Sequence, residues 1–88
     1  MKFSWKNQGS WLETDFALNA IMYSCDIYFF LQQLTIYSHN EGRDEPVYST
    51  HFPDEPLLDY PATLHQVNIP ALEVWANNLL DQFIQGKL

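Results

Sequence analysis

Cysteine is nearly absent from this sequence of 88 residues, since Cys25 is the only one. A lone thiol excludes an internal disulfide and any zinc site built from cysteines alone. The lack of a disulfide framework is typical of proteins from a reducing compartment. We therefore expect a cytoplasmic protein.

Long apolar runs are also missing. The longest, residues 27–31, has five residues, whereas a membrane-spanning helix needs about 20. Residues 1–9 carry two lysines but no apolar segment of the kind found in a signal peptide. The sequence therefore predicts no membrane insertion, and its acidity disfavours attachment to an anionic membrane surface.

Motifs that carry enzyme chemistry are missing as well. With only three glycines in the chain, no Gly-rich phosphate-binding loop occurs, and neither Gly-x-Ser-x-Gly nor His-Glu-x-x-His is present. Side chains able to bind a metal occur at His39, Glu41, Asp44, His51 and Asp54, but their spacing matches no known ligand pattern. We expect a protein that is not an enzyme, with no catalytic residue, no metal and no cofactor.

Basic residues are few. Eleven Asp and Glu stand against four Lys and Arg, which gives a formal charge of −7 at pH 7. Proteins that bind DNA or RNA neutralise the phosphates with a basic patch, so direct nucleic-acid binding is disfavoured. A partner protein with a basic surface is favoured instead.

The chain is rich in apolar and aromatic residues, at 47% and 16% respectively. This content suits one domain over residues 1–88 with a modest core. Ser10–Glu13 matches a helix-starting capping box, and apolar residues then recur every three or four positions, without Gly or Pro, up to Ser38. The members of this stripe are Leu12, Phe16, Ala20, Tyr23, Ile27, Phe30, Leu34 and Tyr37.

A clearer helix signal lies near the end of the chain. Asn68 or Ile69 suits the N-cap, Pro70 suits the first turn, and Gly86 suits the C-terminus. The apolar stripe between them consists of Leu72, Trp75, Ala76, Leu79, Leu80 and Phe83. The sequence therefore predicts a mainly α fold, a small single domain of two to three helices with a long, acidic, proline-rich connection.

An α+β alternative stays open. The stretch Asp26–Tyr37 is rich in aromatic and β-branched residues and could pair with Pro46–Phe52 across residues 39–45. That pairing would give a hairpin near residues 27–52.

The acidic segment, residues 39–60, is the predicted interaction site. It carries most of the net charge, and its carboxylates alternate with apolar and aromatic residues. Charges that steer encounter and aromatic anchors that supply affinity are typical of interface hot spots. The alternatives are a solvated loop and aromatic residues that merely complete a small core. The predicted partner-binding residues are Glu41, Asp44, Glu45, Tyr48, Phe52, Asp54, Glu55, Leu57, Leu58, Asp59 and Tyr60.

These features together predict a small, acidic, non-catalytic binding protein. We expect it to inhibit or regulate a basic or nucleic-acid-handling partner, such as a nuclease, in the manner of antitoxins, immunity proteins and viral inhibitors. The alternative is a structural or assembly subunit that forms a homodimer through aromatic helix faces, because the stripe after Ser10 is apolar on more than one side.

Overall fold

A five-stranded antiparallel sheet and one α-helix make up the described part of the chain, residues 3–52 and 67–88, in the computed structural model. The strands follow one another across the sheet in chain order, each antiparallel to the one before. The elements are β1 (Lys6–Asn7), β2 (Trp11–Leu18), β3 (Ile21–Tyr28), β4 (Gln33–Ser38), β5 (Tyr48–His51) and α1 (Ile69–Ile84).

The core lies between one face of the sheet and α1. In β2, Leu12, Thr14 and Phe16 are buried, while the residues between them are more exposed, as the twofold alternation of a strand requires. Cross-strand pairing places Ile27 beside Leu12 and Leu34 beside Ile27. The buried apolar cluster consists of Leu12, Phe16, Cys25, Ile27, Phe29, Leu34, Ile36, Phe52, Leu72, Ala76 and Leu80.

The predicted C-terminal helix is present as α1. Asn68 is its N-cap, and its side-chain oxygen accepts a hydrogen bond from the backbone N–H of Ala71 at 3.2 Å. After Ile84 the chain turns at Gly86, whose φ of +74° is the left-handed conformation that glycine adopts without strain. Within the described ranges, no helix combines the length and apolar character needed to cross a membrane.

The prediction of a mainly α fold is wrong, because the segment from Trp11 to Ser38 forms β2, β3 and β4. Glu13 does not close a capping box. It lies in β2, where its side chain accepts a hydrogen bond from the Gln8 amide at 2.6 Å. Both sheet faces carry aromatic residues in this segment, and that obscures the alternation that would have indicated strands.

A turn without glycine also hid the first hairpin. Leu18 pairs with Ile21, so β2 and β3 are joined by Asn19 and Ala20 alone. Both have positive φ, 53° and 66°, as in the type I′ turn that suits the twist of a hairpin. This turn usually contains glycine, and alanine there gives no sequence signal.

The α+β alternative gave no strand to residues 11–25 and so does not describe this sheet either. The pairing that it placed across residues 39–45 is nevertheless present, since Leu34 lies opposite Thr50 and Ile36 opposite Tyr48 in β4 and β5.

Two substitutions in α1 test which helix face is packed. Leu72 is 0% exposed and Val74 is 61% exposed. We expect Leu72→Ala to lower the free energy of unfolding by about 2–5 kcal/mol, because it leaves a cavity in the core. Val74→Ala should change it by less than about 0.5 kcal/mol. Urea unfolding of both variants measures this, and similar losses would contradict the packing described.

The Asn19–Ala20 turn gives a second test. Ala20→Gly should raise the free energy of unfolding by about 0.5–1 kcal/mol, because glycine relieves the cost of a positive φ. Ala17→Gly, in the adjacent strand, should lower it because glycine weakens strands. Thermal and urea unfolding provide the comparison, and a destabilised Ala20→Gly variant would rule out the turn.

Candidate functional site

The sheet face turned away from α1, here called the outer face, is lined by polar and aromatic side chains in three cross-strand rows. Each row is fixed by strand register. The first row is Trp11, Tyr28, Gln33 and His51. The second row is Glu13, Asp26, Thr35 and Ser49. The third row is Asp15, Ser24 and Tyr37.

Asp26 is a buried carboxylate in the middle of the outer face, only 1% exposed. One of its oxygens, Oδ2, accepts hydrogen bonds from the Tyr28 hydroxyl and from Arg43 Nε, each at 3.0 Å. The other oxygen, Oδ1, has no hydrogen-bond partner among the described residues. Burial, followed by the hydrogen bond to Asp26, raises the pKa of Tyr28, so its phenol remains a donor at neutral pH.

Arg43 ties the connection between β4 and β5 to the outer face. Its guanidinium carbon lies 5.2 Å from the centre of the Tyr37 ring, a cation–π distance. Nη2 lies 4.0 Å from Glu13 Oε2, so the side chain reaches from β4 to β2. The hydrogen bond to Asp26 raises the pKa of Arg43, and the side chain remains 58% exposed.

A second polar cluster joins Ser24, Asp15 and His39. The Ser24 hydroxyl donates to Asp15 Oδ1 and lies 2.7 Å from His39 Nε2. Because the single hydroxyl proton goes to Asp15, the remaining contact has Nε2–H as donor. In a catalytic triad the carboxylate instead orients the histidine, which takes the serine proton. The cluster joins β2, β3 and the residue that follows β4. Because the serine lies between the carboxylate and the imidazole, the cluster does not have the geometry of nucleophilic catalysis.

The structure separates the predicted partner-binding residues into three groups. Glu41, Asp44 and Glu45 are exposed on the connection that carries Arg43. Tyr48 packs partly buried against the core, and Phe52 is buried, with its ring 6.1 Å from that of Trp75. In this structure both rings thus complete the core, as one sequence alternative allowed. Outside the described residues lie Asp54, Glu55, Leu57, Leu58, Asp59 and Tyr60.

Sequence reasoning missed the outer face. Its aromatic residues Trp11, Tyr28 and Tyr37 fall in the segment that was predicted to be helical, Glu13 was assigned to a capping box, and Asp26 was assigned no role in binding. The usable signal was the spacing of two between Glu13 and Asp15 and between Ser24 and Asp26, which places each pair on one face of a strand.

Two further features bear on chemistry. Within residues 3–52 and 67–88, no group of three or more His, Cys, Asp or Glu side chains is arranged to hold a metal ion. Cys25 is buried on the core side of β3, and burial, together with the nearby Asp26 charge, raises the pKa of its thiol well above the ordinary range. A buried neutral thiol is a core residue and not a nucleophile.

Comparison with known proteins adds no relative, since no family model, curated protein or solved structure matches this chain.

The raised pKa of Cys25 predicts alkaline sensitivity. A thiol whose native pKa exceeds its unfolded value stabilises the fold fully below the unfolded pKa, about 8.5. That contribution is lost as the pH rises towards the native pKa, by at most about 1.4 kcal/mol per pH unit for one proton. The free energy of unfolding should therefore fall above about pH 8.5.

Cys25→Ala provides the comparison. It should be less stable at neutral pH because of the cavity, yet show a shallower decline between about pH 8.5 and 10. Tyr28→Phe should keep the original decline at the lower end of that range, because a phenol titrates at higher pH. Urea unfolding across pH measures the slopes, and equal slopes for the first variant and the parent would contradict the assignment.

Proposed function

We propose that this chain is a non-catalytic binding protein that holds a basic segment of a partner protein against the outer face and the adjoining β4–β5 connection. The charge balance carries the proposal. The described part of this surface carries two basic side chains, Lys6 and Arg43, and six carboxylates. Those carboxylates are Glu13, Asp15, Asp26, Glu41, Asp44 and Glu45.

The exposed members of this set lie where they meet a partner first. Asp15 projects from β2, and Glu41, Asp44 and Glu45 flank Arg43 on the connection. Carboxylates at the rim of an interface accelerate the encounter with a basic protein and disfavour acidic ones. A nuclease or another nucleic-acid-handling protein has a basic surface that binds phosphates, and covering that surface would inhibit the partner.

Aromatic residues beneath the rim supply the anchors. Trp11 and Tyr28 are half-buried neighbours on the outer face, with ring centres 6.2 Å apart, and both ring systems suit stacking by arginine or lysine. The indole N–H of Trp11 is buried without a hydrogen-bond partner among the described residues, like Asp26 Oδ1. Such groups cost about 1–3 kcal/mol each when left unpaired, so a partner that displaces the side chains covering them and pairs them recovers part of that cost.

Charge reversal at the rim tests the proposal. Asp44→Lys combined with Glu45→Lys should abolish capture of the partner from a cell lysate, because the steering field is inverted where the partner approaches. In the parent protein, capture should weaken steeply as salt rises.

The matched control is Glu73→Lys combined with Asp81→Lys on α1, which makes the same change in net charge on the other side of the sheet. This control should retain capture. Circular dichroism checks that both variants fold. Equal capture by the parent and the rim variant, or equal loss in both variants, would contradict the proposed surface.

A second candidate function, self-assembly, is favoured by the β3–β4 turn. Phe30 and Leu31 are 58% and 56% exposed there, and adjacent exposed apolar residues often mark contact sites. If two copies of the chain associate through this turn, Phe30→Ser combined with Leu31→Ser should convert the dimer to a monomer. Light scattering over a range of concentrations decides this, and a monomeric parent protein excludes it.

A further inference from the structure

We infer that the pocket around Asp26 is a guanidinium-binding site, which Arg43 fills within the free protein and which an arginine side chain of the partner occupies in the complex. The guanidinium site is a property of the free chain. Its use by a partner rests on the proposed function.

The first observation is that Asp26 is under-coordinated for a buried carboxylate. An ionised carboxylate presents about four acceptor positions, and removal from water is costly unless donors replace the lost hydration. Here both donors meet one oxygen, and the other has none among the described residues. The site therefore has unused capacity for N–H donors.

The second observation is that Arg43 uses the site poorly. A guanidinium can donate two parallel hydrogen bonds to both oxygens of a carboxylate, but Arg43 reaches Asp26 only through Nε. Its Nη2 is 4.0 Å from Glu13, and more than half of the side chain is exposed. Once Arg43 has left the position, an arginine that is not tethered between Gly42 and Asp44 can present both parallel donors to the two oxygens.

The third observation is how Arg43 is attached. It follows Gly42, whose φ is +85°, and precedes Asp44 and Glu45 on an exposed connection. These neighbouring carboxylates can pair with the guanidinium when it leaves Asp26. Exchange of one guanidinium for another thus leaves no buried charge unpaired.

The surroundings of Asp26 select arginine over lysine. The Tyr37 ring already stacks a guanidinium at 5.2 Å, and a planar guanidinium stacks and donates in pairs, which a compact ammonium does not. Glu13, opposite Asp26 in the sheet, adds a second negative charge at the rim of the site.

Chemical rescue tests the site without any partner. In Arg43→Ala the pocket is vacated, and millimolar methylguanidinium should raise the unfolding temperature by several degrees, because it binds the native state. Methylammonium at the same concentration should give a smaller rise. Arg43→Gln, which retains part of the side-chain stem over Tyr37, serves as a second vacated variant if Arg43→Ala does not fold.

Two double variants make the rescue specific. Asp26→Asn with Arg43→Ala should show no rescue, since the carboxylate is gone. Asp15→Asn with Arg43→Ala removes a carboxylate of the same face outside the pocket and should keep the rescue. Absence of rescue in both vacated variants, or an equal rescue in the Asp26→Asn double variant, would overturn the site.

The exchange with a partner is tested with an acetylated hexa-arginine peptide and its hexa-lysine equivalent. Arg43→Ala should bind hexa-arginine several-fold more tightly than the parent, because no internal guanidinium competes. The affinity for hexa-lysine should change much less. Adding Asp26→Asn to Arg43→Ala should remove the gain in affinity for hexa-arginine. Titration calorimetry at fixed ionic strength measures each of these affinities.

The outcomes separate this inference from the proposed function. If hexa-arginine binds and the rim variant Asp44→Lys with Glu45→Lys weakens it, but removal of Arg43 brings no gain, the exchange is refuted while the acidic surface stands. If rescue by methylguanidinium succeeds but neither peptide binds, the site stands and its use by a basic partner is refuted.

Discussion

Leu12, Ile27 and Leu34 lie side by side in β2, β3 and β4, and this register determines both faces of the molecule. Because these three side chains are buried under α1, the residues next to each of them along its strand must point to the outer face. A shift by one position would drive Asp26 and Glu13 into the core and expose the aliphatic residues. The apolar core therefore fixes the place of every carboxylate on the outer face.

Burial of Asp26 follows from that register, and it links the site to the fold. Its neighbours in the chain, Cys25 and Ile27, belong to the core, so the backbone here has little freedom to carry the carboxylate into solvent. The Arg43 side chain lies over the Tyr37 ring and reaches Asp26 in β3 and Glu13 in β2. The ion pair between Arg43 and Asp26 thus helps to hold the β4–β5 connection, which carries Glu41, Asp44 and Glu45, against the sheet.

The sequence allowed some of this to be predicted, for local reasons. α1 has its own cap, proline and single apolar stripe, all readable without tertiary context. The strands of residues 11–28 have no comparable local signal. The Asn19–Ala20 turn lacks glycine, and Trp11, Tyr23 and Tyr28 put aromatic rings on both faces, so a period of two was masked. Phe52 resembled an interface residue because it lies among the carboxylates of the acidic segment, and only its burial and the packing of Trp75 against it reveal a core position.

The outer face combines two electrostatic roles that call for different environments. In the proposed complex, exposed carboxylates such as Asp15 on β2 and Asp44 on the adjoining connection act at long range and are screened by salt, so they set how fast a basic partner arrives. In the same proposal, Asp26 acts at contact, because a carboxylate that is removed from water needs hydrogen-bond donors placed close to its oxygens, and it therefore sets how long a bound guanidinium stays. A surface of exposed acids alone would attract any basic protein. In the proposed complex, buried Asp26 adds the selectivity for a guanidinium that exposed charge alone does not provide.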